Sequence, residues 1–108
     1  NGDSNPSTSG MLSMCPASDN PYTPEIIGDS NRLARLVLDQ MIKSTGTTSK
    51  GIIETNNMSG INWCKIPVTI IEMGFMSNRD EDRLLQTEDY QKKIVDGISN
   101  GVDKYFEL

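Results

Sequence analysis

Two stretches of the chain repeat apolar residues with a helical period. In the first, Ile26, Leu33, Val37 and Met41 recur at spacings of seven, four and four, and Ala34 and Leu38 widen the stripe. That is the pattern of a helix with one face buried. Thr23 stands ahead of it as an N-cap, with Pro24 at the first helical position and Glu25 near the positive end of the dipole. Gly46 is the natural stop after Thr45, so one long helix is predicted over Thr23–Thr45. In the second stretch Tyr90, Ile94, Ile98, Val102 and Phe106 follow at intervals of four, behind Thr87 as cap and Glu88 and Asp89 in the first turn. Tyr105 and Phe106 are expected in the core. Gly97 and Gly101 flank this stripe. A glycine inside a helix costs about 1 kcal/mol against alanine, so the pair predicts close approach to another backbone.

The strands are shorter. Met11–Cys15 is mildly apolar and Pro16 stops it, which predicts a strand. Val68–Glu72 follows Pro67 as a continuous apolar run. Unlike an alternating pattern, such a run predicts burial on both faces, as in a parallel sheet between helices. Ile61–Trp63 is a candidate short strand. Gly46–Gly60 reads as polar and turn-rich, with Gly51–Glu54 its only apolar interruption, and Asn1–Gly10 and Ala17–Tyr22 read as loops. Ser77 and Asn78 offer N-caps at capping-box spacing from Asp80 and Glu81, ahead of a short helix carrying Leu84 and Leu85. The expected architecture is α/β: a partial, twisted, mostly parallel sheet flanked by helices, in one domain over 1–108. Two or three strands are few for a doubly covered sheet.

Composition narrows the function. The 108 residues carry a net charge of -5, which excludes nucleic acid as a partner, because phosphate binding needs clustered Lys and Arg. No apolar run approaches the roughly 18 residues of a membrane span. The chain opens on Asn1 rather than Met, so the lack of a signal peptide carries no information on compartment. Cys15 and Cys64 are too few for a disulfide framework and lack a Cys-x-x-Cys spacing. Asn78–Asp82 lacks the ligand spacing of an EF-hand calcium loop and reads as a solvated helix start. Trp63 reads as a partly buried anchor before it reads as a sugar-stacking platform. The six methionines read as gap fillers. There is no histidine.

One residue conflicts with its surroundings. Glu72 directly follows Ile70 and Ile71, and burying an unpartnered carboxylate costs several kcal/mol or neutralises it. One reading is structural: the carboxylate accepts hydrogen bonds from backbone N–H groups of the following turn. The other is catalytic. Ligands of open α/β sheets bind beyond the carboxyl ends of strands, Gly74 lets the chain turn away, and a partly desolvated carboxylate suits a general base. Both readings stand on the local pattern.

The stretch PVTIIEMGFMSNRDEDRLL, followed by YQKKIVDGISNGVDKYF, resembles the C-terminal part of the zinc-dependent N-acetylmuramoyl-L-alanine amidases, the bacterial autolysins and phage endolysins. The signature is a hydrophobic strand, then Glu-x-Gly-Phe-x-Ser-Asn: here Glu72, Gly74, Phe75, Ser77 and Asn78. Ser44–Ile52 is similar to the family's segment after the preceding helix, with Lys50 where many members have Arg. Met58–Val68 matches a subgroup that usually has Ser at the position of Cys64. The resemblance implies peptidoglycan as substrate. The amide between N-acetylmuramic acid and the L-alanine of the stem peptide would be cut by water with zinc assistance, at an extracellular or cell-wall location. It implies a zinc held by two histidines and a glutamate, and a second glutamate, matched by Glu72, as acid/base.

The second zinc histidine of the family sits in a His-x-Asn motif. Asn1 and Gly2 resemble that asparagine and the start of the loop after it, which puts the histidine two positions before Asn1. The zinc is therefore expected in the complete domain and not in this chain, which alone is expected to be inactive. It is also expected to expose an unpaired sheet edge, at Met11–Cys15 or Val68–Ile71, through which copies self-associate. The alternative is a non-catalytic fragment of the same fold that binds cell wall or a partner protein. A third is an unrelated α/β interaction domain with a structural Glu72.

Overall fold

The computed structural model describes residues 2–107; Asn1, read above as the motif's asparagine, lies outside them. Three strands form one sheet, in the order β2-β1-β3. The central strand β1 (Met11–Pro16) is buried along nearly its whole length. Of the two candidate edges, Met11–Cys15 is corrected: β1 has a neighbour on each side, and β2 and β3 carry the outer edges.

The first helical stripe becomes a 3-10 turn over Pro24–Ile26 and helix α1 over Ile27–Thr45. Ser30, Ala34, Val37, Leu38 and Met41 are its buried residues. Gly46 ends it with φ 73°, its N–H donating to the Ile42 carbonyl at 2.8 Å. That left-handed conformation is cheap only for glycine. Thr23, by contrast, is no cap. Its hydroxyl is buried without a partner among the described residues, because the 3-10 turn places a different backbone ahead of the helix.

Strand β2 (Ser49–Thr55) runs parallel to β1. It occupies the stretch read as turn-rich. An edge strand needs few apolar residues, and only Ile52 and Ile53 supply them. Its register slips by one residue between the Met11↔Ser49 and Ser13↔Ile52 pairs. Gly51, at φ 82°, lies in that bulge. Ile61–Trp63 is not a strand: Ser59–Asn62 forms a single helical turn, α2, which buries Ile61 and leaves Trp63 outside, 86% exposed. Trp63 is therefore not the partly buried anchor expected.

Strand β3 (Ile70–Glu72) is shorter than predicted and antiparallel to β1. Its approach is held by side chains instead of ladder bonds. Ser30 of α1 accepts the Val68 N–H at 2.9 Å, and the Thr69 hydroxyl donates to the Met14 carbonyl at 2.8 Å. The continuous apolar run thus marks a strand but neither its direction nor burial on both faces: β3 is an edge strand, half-buried at all three residues.

Helix α3 (Arg79–Leu85) is capped by Asn78, whose side chain accepts from Asp80 and Glu81 N–H. Helix α4 (Glu88–Phe106) is capped by Thr87, which accepts from Tyr90 N–H. Met11, Val37, Leu38, Met41, Tyr90 and Ile94 form the core. Phe106, expected there, is 72% exposed; the stripe outlasts the surface it packs on. The glycine pair does what its cost suggested. A Cβ on Gly97 would stand 2.6 Å from the Met41 Cα, and one on Gly101 2.5 Å from the Val37 Cα. Both distances are inside van der Waals contact, so α1 and α4 touch backbone to backbone.

Candidate active site

Glu72 is the last residue of β3 and pairs directly with Leu12 of β1. Opposed residues of an antiparallel pair project from the same face. Glu72 therefore shares a face with Leu12, while Ile71, one residue earlier, packs against the core beneath α1 and α4. Because β3 is antiparallel, its carboxyl end lies beside the amino end of β1. The rule that ligands gather beyond the carboxyl ends of parallel strands does not place Glu72, and that part of the catalytic argument is corrected.

The surroundings of the side chain are more informative. Glu72 is half-buried, and among the described residues its carboxylate accepts no hydrogen bond. It lines a groove of about 650 Å³ with Met73, Met76, Leu85, Ile94 and Ile98. The groove is bounded by β3, the turn after it, α3 and α4, and is mostly apolar apart from two carboxylates, Glu72 and Asp82, and the amides of Gln86 and Gln91.

The structural task proposed above for Glu72 belongs to another acid. Glu81, 8% exposed, accepts the Phe75 N–H through Oε1 at 3.0 Å and the Gly10 N–H through Oε2 at 2.9 Å. In a full capping box it would return to the N–H of Asn78. Instead Asn78 N–H bonds the Phe75 carbonyl, which frees Glu81 to cross to the other segment. The Asn78-x-x-Glu81 spacing announces a carboxylate at the helix start. Its partner at Gly10 is remote in sequence and left no local sign. Gly74 has φ 155°, and a Cβ there would sit 3.3 Å from Glu81 Oε1, so the turn is tight against this carboxylate.

The segment before β1 closes over the same corner. Asp3 N–H donates to Ser77 Oγ at 3.1 Å. Asx turns, Asn5 N–H to Asp3 Oδ1 at 2.8 Å and Ser7 N–H to Asn5 Oδ1 at 3.0 Å, shape the rest of the loop. The Lys50 ammonium lies 5.7 Å from the centre of the Phe75 ring, within cation–π reach. Glu72, Gly74, Phe75, Ser77 and Asn78 thus form one turn, joined to the loop of residues 2–10 at Ser77 and through Glu81.

The donor set does not fit a zinc. No group of three or more His, Cys, Asp or Glu side chains among the described residues could hold a metal ion, and the sequence has no histidine. Cys15 and Cys64 are free thiols. Burial pushes the Cys15 thiol up, Glu54 adds to this, and Asn31 and Arg35 oppose it. Cys64 donates to the Gly60 carbonyl at 3.1 Å. No helix among the described residues is long and apolar enough to cross a membrane.

Known proteins share this sequence and this arrangement. A family model described as N-acetylmuramoyl-L-alanine amidase matches residues 1–104. An uncharacterised protein of Bacillus subtilis, YqiI, is 33% identical over 79 residues, which are 73% of this chain and 38% of that protein. The amidase AmiC of Neisseria meningitidis is 29% identical over 77 residues, 71% of this chain and 18% of its own length. The CwlD amidase from Clostridioides difficile, solved in complex with the GerS lipoprotein, superposes with a TM-score of 0.84 at 25% identity, covering 97% of this chain and 50% of its own. The catalytic domain of CwlV, an amidase from Paenibacillus polymyxa, gives 0.81 at 25% identity, covering 97% and 52%. The chain therefore spans about half the length of these solved structures and less of the curated relatives. On the match over residues 1–104, the chain belongs to the N-acetylmuramoyl-L-alanine amidase family Amidase_3.

Proposed function

We propose that this chain is the C-terminal portion of a peptidoglycan amidase domain and that Glu72 is its acid/base. The observation that carries the reading is the contrast between two acids nine residues apart. Glu81 takes the backbone N–H groups of the corner. Glu72 stands half-buried at a groove with its carboxylate unengaged among the described residues. No side chain or backbone N–H among the described residues engages that carboxylate, which leaves it available as a general base.

In the reaction, Glu72 removes a proton from the attacking water as its oxygen bonds the lactyl carbonyl carbon. The carbon–nitrogen bond to L-alanine then breaks, and the same proton passes to the departing amine. Water is consumed and a carboxylic acid and a free amino terminus are produced. Zinc belongs to the complete domain in this reading, and no residue of this chain is assigned to it. Action on peptidoglycan places the protein outside the cytoplasmic membrane, at the cell wall.

The test is product analysis. The full-length gene product, incubated with purified muropeptides, should release stem peptides with free L-alanine amino termini and intact glycan chains. Cleavage at a glycosidic bond or within the stem would contradict the reading.

The lack of histidine and of a metal-ligand cluster among the described residues favours a second reading for the chain by itself: a non-catalytic piece that binds cell wall or a partner. The relative CwlD was solved with a lipoprotein partner. Binding of the isolated 108 residues to insoluble peptidoglycan, without product, is the outcome this reading expects.

A further inference from the structure

We propose that Glu81 is a positioning residue for Glu72, a single carboxylate that holds the turn after β3 and the loop before β1 in fixed relation. The proposal rests on the reading of Glu72 as the acid/base.

Glu72 is fixed on one side by its pairing with Leu12. Beyond it, only Met73 and Gly74 separate it from Phe75, whose N–H is held by Glu81 Oε1. The other oxygen of the same carboxylate holds Gly10, the residue before β1. Both bonds are buried, so the two oxygens are not interchangeable with water. Gly74 leaves no slack: a side chain there would meet Glu81 and Leu85 at 3.3 Å. The loop of residues 2–10 is thereby anchored at its end by Glu81 and near its start by Ser77. An acid/base must sit within a fraction of an ångström of the group it serves, and a shift of about 1 Å costs on the order of 100-fold. Loosening either oxygen of Glu81 lets Glu72 and the facing loop move relative to one another without unfolding the sheet.

Glu81→Gln separates the two bonds. The amide keeps the size and one acceptor oxygen, and it sets an NH2 group against the second N–H, which cannot accept. In the full-length gene product, muropeptide cleavage should show kcat reduced by about 10- to 100-fold with KM within about twofold, as misplacement of an intact acid/base predicts. Gly101→Ala, which crowds the contact of α4 with α1 at Val37, should lower the melting temperature and leave kcat within about twofold. An unchanged kcat in Glu81→Gln, with or without a loss of melting temperature, overturns the proposal. So does an equal fall of kcat in Gly101→Ala, which would assign the effect to stability. Amide hydrogen exchange on the wild-type protein tests the clamp if Glu81→Gln does not fold. The Gly10 and Phe75 amides should exchange as slowly as those of β1, and exchange at loop rates overturns the proposal. Glu72→Gln, assayed alongside, separates the two claims. If it lowers kcat by about 10²–10⁴-fold while Glu81→Gln leaves kcat unchanged, positioning alone fails. If it leaves cleavage intact, the reading of Glu72 fails and the proposal with it, whatever the exchange rates.

Discussion

Glu81 and Gly10 lie 71 residues apart in sequence and meet across a 2.9 Å hydrogen bond. That contact ties helix α3 to the entrance of the central strand, and through Phe75 it reaches the turn that carries the family's signature residues. The corner is thus held by one buried carboxylate. Glu72, whose carboxylate accepts no hydrogen bond among the described residues, takes no part in that clamp.

Helices α1 and α4 should not tolerate side chains at their contact. Gly101→Ala puts a methyl 2.5 Å from the Val37 Cα, and the backbones must part to admit it. The expected loss is about 1–3 kcal/mol, typical of overpacking, despite alanine's better helix propensity. Denaturant unfolding measures it. A stabilised Gly101→Ala would mean that the helices are not in backbone contact.

Thr23→Val should be neutral or stabilising. The Thr23 hydroxyl is buried without a partner among the described residues, and replacing an unsatisfied polar group by a methyl of the same shape recovers its desolvation penalty. An N-cap would behave oppositely and lose about 1 kcal/mol. The sign of the melting-temperature change decides between them.

Cys64 should react with iodoacetamide readily and Cys15 only on unfolding, because Cys15 is buried and its thiol is raised by desolvation. The folded state then holds this proton at pH values where the unfolded state, with an ordinary thiol value of 9.0, has lost it. The contribution is complete below pH 9.0 and is lost as pH rises through the folded value. Melting temperatures at pH 8 and 10 should show a smaller fall for Cys15→Ala than for the wild type.

The 108-residue chain by itself should self-associate. Strands β2 and β3 each carry an outer edge in the three-stranded sheet, and unprotected edges template pairing. Sedimentation should give a mass that rises with concentration. A monomer at all concentrations with a high melting temperature would contradict it.

The helices were legible in the sequence because period and caps agree at Gly46, Asn78 and Thr87. The glycine pair even announced its contact. Strand β2 was not legible, because an edge strand with a bulge at Gly51 needs only Ile52 and Ile53 to be apolar. The direction of β3 was not legible either, because an apolar run reads the same whichever way the strand runs. Residue type puts Trp63 inside and period puts Phe106 there, but position decides: Trp63 follows the end of α2, and Phe106 is the last residue of α4, where the stripe outlasts the surface it packs on. In the site, the signature turn could be read residue by residue, whereas the division of labour between Glu72 and Glu81 depends on Gly10, which is distant in sequence.

The central claim is that Glu72 moves the proton. Glu72→Gln in the full-length gene product preserves shape and hydrogen-bonding reach and removes only the basic carboxylate. The account predicts muropeptide turnover reduced by about 10²–10⁴-fold, with melting temperature and zinc content unchanged. Turnover near that of the wild type would contradict it, and zinc lost together with activity would make Glu72 a metal ligand instead.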